Sequence, residues 1–100
     1  MVSLRAMNPT LTDIERAEYN RVIWHSRRGM LELDIVLEPF VKNHYLNLDE
    51  AQRAGYRRLL TSEDQDLFNW FLKKATVDDV ELATIVELIL DFNRQRIAGS

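Results

Sequence analysis

Cysteine is absent from this 100-residue chain, which excludes disulfides, thiolate metal sites and thiol nucleophiles. Glycine occurs three times and proline twice, too few for an all-β fold rich in tight turns. No apolar run approaches the roughly 20 residues that span a bilayer, so no membrane insertion is expected. A basic excess is also lacking: 13 Lys and Arg stand against 16 Asp and Glu, a formal net charge of −3. Duplex-binding domains normally carry a basic surplus that releases counterions from phosphates, so a nucleic-acid partner is not expected. Met1 to Asn8 holds a single arginine, Arg5, and no apolar stretch; it reads as neither a secretory signal nor a transit peptide. A bacterial cytoplasmic protein fits these absences.

What is present is helical periodicity. Hydrophobic residues make up 46% of the chain, enough for one modest core. Thr12 with Glu15 forms a capping-box pair that opens a first helix carrying Ile14, Ala17, Val22 and Ile23. Arg27, Arg28 and Gly29 close it, cations toward the negative end of the dipole and glycine in the left-handed position after the cap. Leu33, Val36, Leu37, Phe40 and Val41 then mark one face of a second helix. Pro39 lies within it, either kinking the helix or starting a new turn. Asn47 to Asp49 reads as a break, and Ala51, Ala54, Leu59 and Leu60 belong to a third helix ended by Thr61 and Ser62. Ser62 with Gln65 would cap a short fourth helix bearing Leu67, Phe68, Trp70, Phe71 and Leu72. Thr76 with Asp79, or Asp78 with Glu81, would cap a long fifth helix. Its stripe is Leu82, Ile85, Val86, Ile89 and Phe92, with Arg94 and Arg96 near its end and fraying from Ile97 onward.

The expected architecture is therefore all-α, a small single-domain bundle of about five helices over residues 11–97. Residues 1–10 read as a flexible extension and 98–100 as a tail. The expected core is Val36, Leu37, Phe40, Leu59, Trp70, Ile85 and Ile89, and the free protein should be a monomer.

Catalytic chemistry finds little support. His25 and His44 are the only histidines and stand at no metal-ligand spacing. The serines lack a glycine elbow or an evident base. Carboxylates at this density on helices are a solvated face more often than an acid–base pair. No strand exists to precede a phosphate-binding glycine loop. No catalytic residue and no metal ligand is assigned, and an enzyme is not expected.

The segment from Trp24 to Asp34, with Arg27, Arg28, Gly29, Met30, Glu32 and Leu33 between them, stands out. One reading is helix punctuation, which accounts for Gly29 and the charge signs. The other is an interface, because Trp and Arg are the types most enriched at binding hot spots. On the residues alone the two stand level.

These residues resemble the SdhE family of succinate dehydrogenase flavinylation factors. The family's Arg-Gly-x-x-Glu motif is matched by Arg28, Gly29 and Glu32. Trp24, the doubled arginine at Arg27, Met30 and Leu33-Asp34 match its flanks. A second block, Asp66-Leu67-Phe68-Asn69-Trp70, follows downstream, and the likeness runs from about Tyr19 to Phe92. Many relatives carry cysteine or another small residue where Ser26 stands. The resemblance implies an assembly factor that binds the flavoprotein subunit of succinate dehydrogenase, with that of fumarate reductase as a further client. It implies partner binding by Arg28, Gly29, Glu32, Arg27, Trp24 and Met30. In that family a histidine of the partner becomes bonded to FAD, so the cofactor belongs to the client. No cofactor is expected to be bound by this chain, whose small core and few glycines offer no cradle for a dinucleotide.

Arg28 and Glu32, if they serve a partner, should be solvent-accessible, and Arg28→Ala should move stability by only about 0.5 kcal/mol. Asn69, Phe68 and Trp70 read instead as helix packing. Two alternatives remain in other classes. One is an antitoxin-like helical regulator with no flavoprotein client; the other is a nucleic-acid binder using Arg53, Arg57, Arg58, Arg27 and Arg28 as a patch.

Overall fold

The computed structural model describes residues 12–98. The expected extension over residues 1–10 lies outside them, as do residues 99–100 of the expected tail. Five α-helices follow in order: α1 (Asp13–Ser26), α2 (Leu31–His44), α3 (Glu50–Leu59), α4 (Asp64–Phe71) and α5 (Val80–Ala98). One turn of 3-10 helix, Tyr45–Asn47, joins α2 to α3, and no strand occurs among the described residues. The all-α bundle of about five helices is what the structure shows.

Helix starts follow local chemistry where both partners are near in sequence. Thr12 accepts from the Glu15 N–H at 3.0 Å while the Glu15 carboxylate accepts from the Thr12 N–H at 3.0 Å, a complete capping box. Asp49 and Gln52 form a second one at the start of α3, inside the stretch that reads as a mere break. The other expected caps shift. α4 begins at Asp64 with Glu63 as its cap residue and no side-chain cap bond, so Ser62 with Gln65 does not open it. α5 begins at Val80, and the Asp79 carboxylate accepts from the Leu82 N–H at 3.1 Å, one residue later than the expected Asp78–Glu81 pair and three later than Thr76–Asp79. The same helix continues through Ile97 to Ala98.

α2 is the hub, packing on α1, α4 and α5, while α3 packs on α5. Its buried residues Leu33, Leu37, Phe40 and Val41 recur at offsets of 4, 7 and 8, one helical face. The helix continues through Pro39, so proline neither ends it nor starts another. Facing this stripe are Leu82, Ile85, Val86 and Ile89 of α5, Leu59 and Leu60, and Leu67 and Phe71 of α4. Each such side chain contributes about 1.5–3 kcal/mol on burial. Of the expected core, Leu37, Phe40, Leu59, Ile85 and Ile89 are buried, whereas Val36 and Trp70 are only partly covered at its edge. The aromatic centre comes from residues that periodicity passes over: Tyr45 and Tyr56 are fully buried, with Phe40 and Tyr56 rings 5.5 Å apart.

α1 is oriented differently from its first reading. Ile14 and Ala17 face solvent, and the covered side is Tyr19, Val22, Ile23 and Ser26 at offsets of 3, 4 and 7. Gly55 explains how closely α3 approaches α5. A Cβ at that position would lie 2.9 Å from Ile85 Cγ1, so only hydrogen fits between the helices.

Candidate functional site, a docking corner

The connection from α1 to α2 is four residues, Arg27 to Met30. α1 ends where the Ser26 hydroxyl donates to the Val22 carbonyl at 2.8 Å. The single Ser26 proton is thereby committed, so the Tyr56 hydroxyl is the donor in their 2.7 Å contact. Arg27 then turns extended. Gly29 adopts φ +79°, a left-handed conformation that costs a side-chain-bearing residue roughly 1–2 kcal/mol. It lies two residues beyond the cap Arg27 rather than directly after it. Nothing stands within 4 Å of a Cβ built on Gly29, so backbone conformation alone requires glycine there. Its surroundings are open.

Arg28 departs from expectation. Its side chain is 16% exposed and turns toward the body of the protein. Nε donates to Asp64 Oδ1 at 2.7 Å, Nη1 to the Leu60 carbonyl at 2.9 Å and Nη2 to the Ser62 carbonyl at 2.9 Å. Nη1 also reaches the His25 carbonyl at 3.2 Å. The planar fork of guanidinium donors suits such a multidentate grip. The backbone N–H of Arg28 donates to Asp34 Oδ1 at 2.9 Å, so the residue is held at both ends. The expected accessible arginine is thus a strap from the α1–α2 corner to the α3–α4 turn. The physical reason lies in that turn, whose Leu60 and Ser62 carbonyls sit beyond the last hydrogen bonds of α3 and need donors.

Glu32, by contrast, is exposed. As expected of it, and unlike Arg28, its side chain is open to solvent, and it makes no ion pair among the described residues. Trp24 is 68% exposed with the Arg27 guanidinium 6.0 Å from its ring centre. Arg27 Nε also lies 3.4 Å from Glu38 of α2, which draws the end of α1 alongside one face of α2. That face bears Leu31 and Ile35, 70% and 54% exposed, followed at helical spacing by Glu38 and Lys42. Met30 is partly covered against the core. Sequence reasoning missed Leu31 and Ile35. The signal was available: once Leu33, Leu37 and Phe40 are taken as the inward stripe, positions 31 and 35 fall on the other side. Trp24, Leu31 and Ile35 are exposed apolar side chains at the α1–α2 corner and on the outer face of α2, with Arg27, Glu32 and Glu38 as their charged neighbours along these helices, the composition of a protein interface.

The remaining arginines do not form a basic patch. Arg57 binds Glu18 at 2.5 Å and the Tyr45 hydroxyl at 2.9 Å. Arg58 pairs with Asp79 at 2.5 Å and Glu81 at 2.8 Å, and its hydrogen bond holds the Asp79 carboxyl well below the usual carboxylate range. Arg53 donates to the Leu46 carbonyl at 2.8 Å and lies over the Tyr45 ring. His44 packs between Phe40 and Phe92. No group of three or more His, Cys, Asp or Glu among the described residues could hold a metal, and no helix among them is long and apolar enough to cross a membrane. The Asp66–Trp70 block lies in α4, with Leu67 buried and Phe68 and Trp70 packed against the core.

Comparison with known families decides the assignment. Residues 20–93 match the family described as "Flavinator of succinate dehydrogenase". The chain belongs to this family. Among its curated members, the FAD assembly factor SdhE of Pseudomonas savastanoi pv. phaseolicola is 55% identical over 78 residues, 78% of this chain and 93% of that one. SdhE of Pseudomonas aeruginosa is 48% identical over 77 residues, covering 77% and 92%. SdhE of Colwellia psychrerythraea is 40% identical over 83 residues, covering 83% and 91%. The family fold is seen again in the solution structure of a UPF0350 protein, with a TM-score of 0.66 and 36% identity over 82% of this chain and 88% of that one. The Arg28–Asp64 strap ties the first block by which the family resemblance was read to the start of α4, the helix that carries the second.

Proposed function

We propose that this chain is a non-enzymatic assembly factor that binds the flavoprotein subunit of succinate dehydrogenase and promotes its covalent FAD attachment. It acts in the bacterial cytoplasm as a free monomer, with the fumarate reductase flavoprotein as a second client and no nucleic-acid partner. The observation that carries the reading is the exposed corner: Trp24, Leu31 and Ile35 lie open beside Arg27 and Glu32, in a chain whose relatives are named FAD assembly factors. Apolar area of this kind at a convex corner suits docking of a second protein rather than enclosure of a ligand. Met30 and the open flank of Gly29 extend the contact, and Arg28 supports it from behind.

The mechanism is conformational. The adaptor binds the client's bond-competent state more tightly than its other states and so raises that population. It contributes no group to the flavin bond and holds no FAD itself. Support comes from the corner's shape: the space where a Gly29 Cβ would stand is open, with no enclosing wall of the kind a phosphate cradle needs. A pocket of about 370 Å³ lined by Trp70, Lys73 and Lys74 among others includes none of Arg28, Gly29 and Glu32.

Calorimetry provides the test. Titrating the purified flavoprotein subunit should give saturable binding that Trp24→Ala weakens by tenfold or more, as central aromatic anchors do. Glu32→Ala should weaken it less, both variants melting near the parent temperature. Titrating FAD alone should give no binding heat. Micromolar FAD binding abolished by Gly29→Leu would replace the adaptor with a carrier.

A further inference from the structure

We infer that Asp64 is a positioning residue for the docking corner, acting through Arg28 from the first turn of α4. The inference rests on the docking reading above and concerns what holds that corner in place. Between α1 and α2 the connecting chain has few bonds of its own: Arg27 N–H to the Trp24 carbonyl at 3.2 Å and Arg28 N–H to Asp34 at 2.9 Å. The Met30 carbonyl also accepts from the Leu33 and Asp34 N–H groups at 3.0 Å, and Arg27 pairs with Glu38 on α2; the restraint that reaches beyond α1 and α2 is the Arg28 side chain, which crosses to Asp64, Leu60 and Ser62. Arg28 thereby ties the segment between Trp24 and Leu31 to the first turn of α4.

Asp64 supplies the one carboxylate in that receptor. Its 2.7 Å bond to Nε is shorter than the bonds from the two carbonyls, as expected of a charge-assisted pair. It also stands at the first residue of α4, where the helix dipole favours a carboxylate. The corner's exposed residues are neighbours of this strap: Arg27 precedes Arg28, and Gly29 with its φ of +79° follows. Loss of Asp64 removes the anchor that fixes the direction of the guanidinium, and the pose of Trp24 and Arg27 against Leu31 and Ile35 loosens with it. Pre-organisation of this kind raises affinity by cutting the ordering cost of association.

The experiment measures flavoprotein-subunit affinity by calorimetry for the full chain carrying Asp64→Ala, Asp64→Asn, Arg28→Ala and the Asp64→Ala/Arg28→Ala pair, at a temperature where all are folded by circular dichroism. Asp64→Ala is expected to weaken binding roughly tenfold, in the range of coupling within one ion-pair network. Asp64→Asn keeps an acceptor oxygen in place and should recover most of that loss. The double variant should bind no more weakly than Arg28→Ala alone, since Asp64 acts only through Arg28. Arg58→Ala breaks a different ion-pair cluster; it should lower the melting temperature without changing affinity, separating positioning from general destabilisation. Parent affinity in Asp64→Ala, with Trp24→Ala still weakened, overturns the inference and leaves the docking reading standing. Parent affinity in both overturns the two together. Fully additive losses in the double variant, or affinity that tracks melting temperature across Arg58→Ala as well, also overturn it.

Discussion

Arg28 carries a motif position and yet directs its charge inward. Its guanidinium meets one carboxylate and three carbonyls, and truncation leaves the Leu60 and Ser62 carbonyls and Asp64 without it. Hydrogen bonds to charged groups contribute about 1.5–3 kcal/mol each, with partial re-solvation offsetting some of that at this half-open site. Arg28→Ala should therefore destabilise the fold by about 2–3 kcal/mol, and Arg28→Lys by less, since an ammonium can reach some but not all of these acceptors. Urea titration measures it; an unchanged midpoint would return Arg28 to the surface role first expected of it. Tyr56 offers a second handle. Burial pushes its phenol above the ordinary value of 10.0, opposed in part by the Ser26 hydrogen bond. Burial does the same to Tyr45, helped by the carboxylate of Glu18. A raised folded-state pKa means the stabilisation is complete below pH 10 and is lost as pH climbs through the folded value. Stability should fall above pH 10, and Tyr56→Phe should flatten that fall while costing about 1 kcal/mol at neutral pH through the lost hydroxyl bond.

At the scale of elements, the contact of α3 with α5 depends on a missing methyl. Gly55→Ala would gain up to about 1 kcal/mol of helix propensity. The added Cβ would stand 2.9 Å from Ile85 Cγ1, a mid-chain atom of a buried side chain that has nowhere to swing. Overpacking costs about 1–3 kcal/mol, so the substitution should be net destabilising by circular dichroism melts, and Gly55→Ala with Ile85→Val should recover part of the loss. A more stable Gly55→Ala protein would show that the two helices can separate at little cost. The elements also show where a sequence can and cannot be read. The α2 and α5 stripes were legible because burial repeats with the helical turn, and the Thr12 cap because its partner is three residues away. The Ser62 cap failed because the turn holding it is organised by Arg28, more than thirty residues earlier. Nothing local singles out Asp64 from the chain's 16 carboxylates as that arginine's partner. Tyr45 and Tyr56 escaped notice because their hydroxyls meet Glu18 and Ser26, contacts that only the tertiary fold supplies.

For the whole molecule, the fold is a frame that presents one corner. α2 joins the frame at its inward face and the proposed corner at its outward one, so Leu37 is buried in the core while Ile35, two residues away, is exposed on the face proposed for docking. The central claim is that this corner promotes flavin attachment on a client while the chain holds no flavin. The most direct measurement is covalent flavin on the succinate dehydrogenase flavoprotein, read as in-gel fluorescence of the denatured subunit from cells lacking this protein. Fluorescence should be largely lost in those cells, return with the parent chain, and fail to return with a Trp24→Ala chain expressed at equal level. Covalent flavin at the parental level without this protein, or full recovery with Trp24→Ala, would contradict the account.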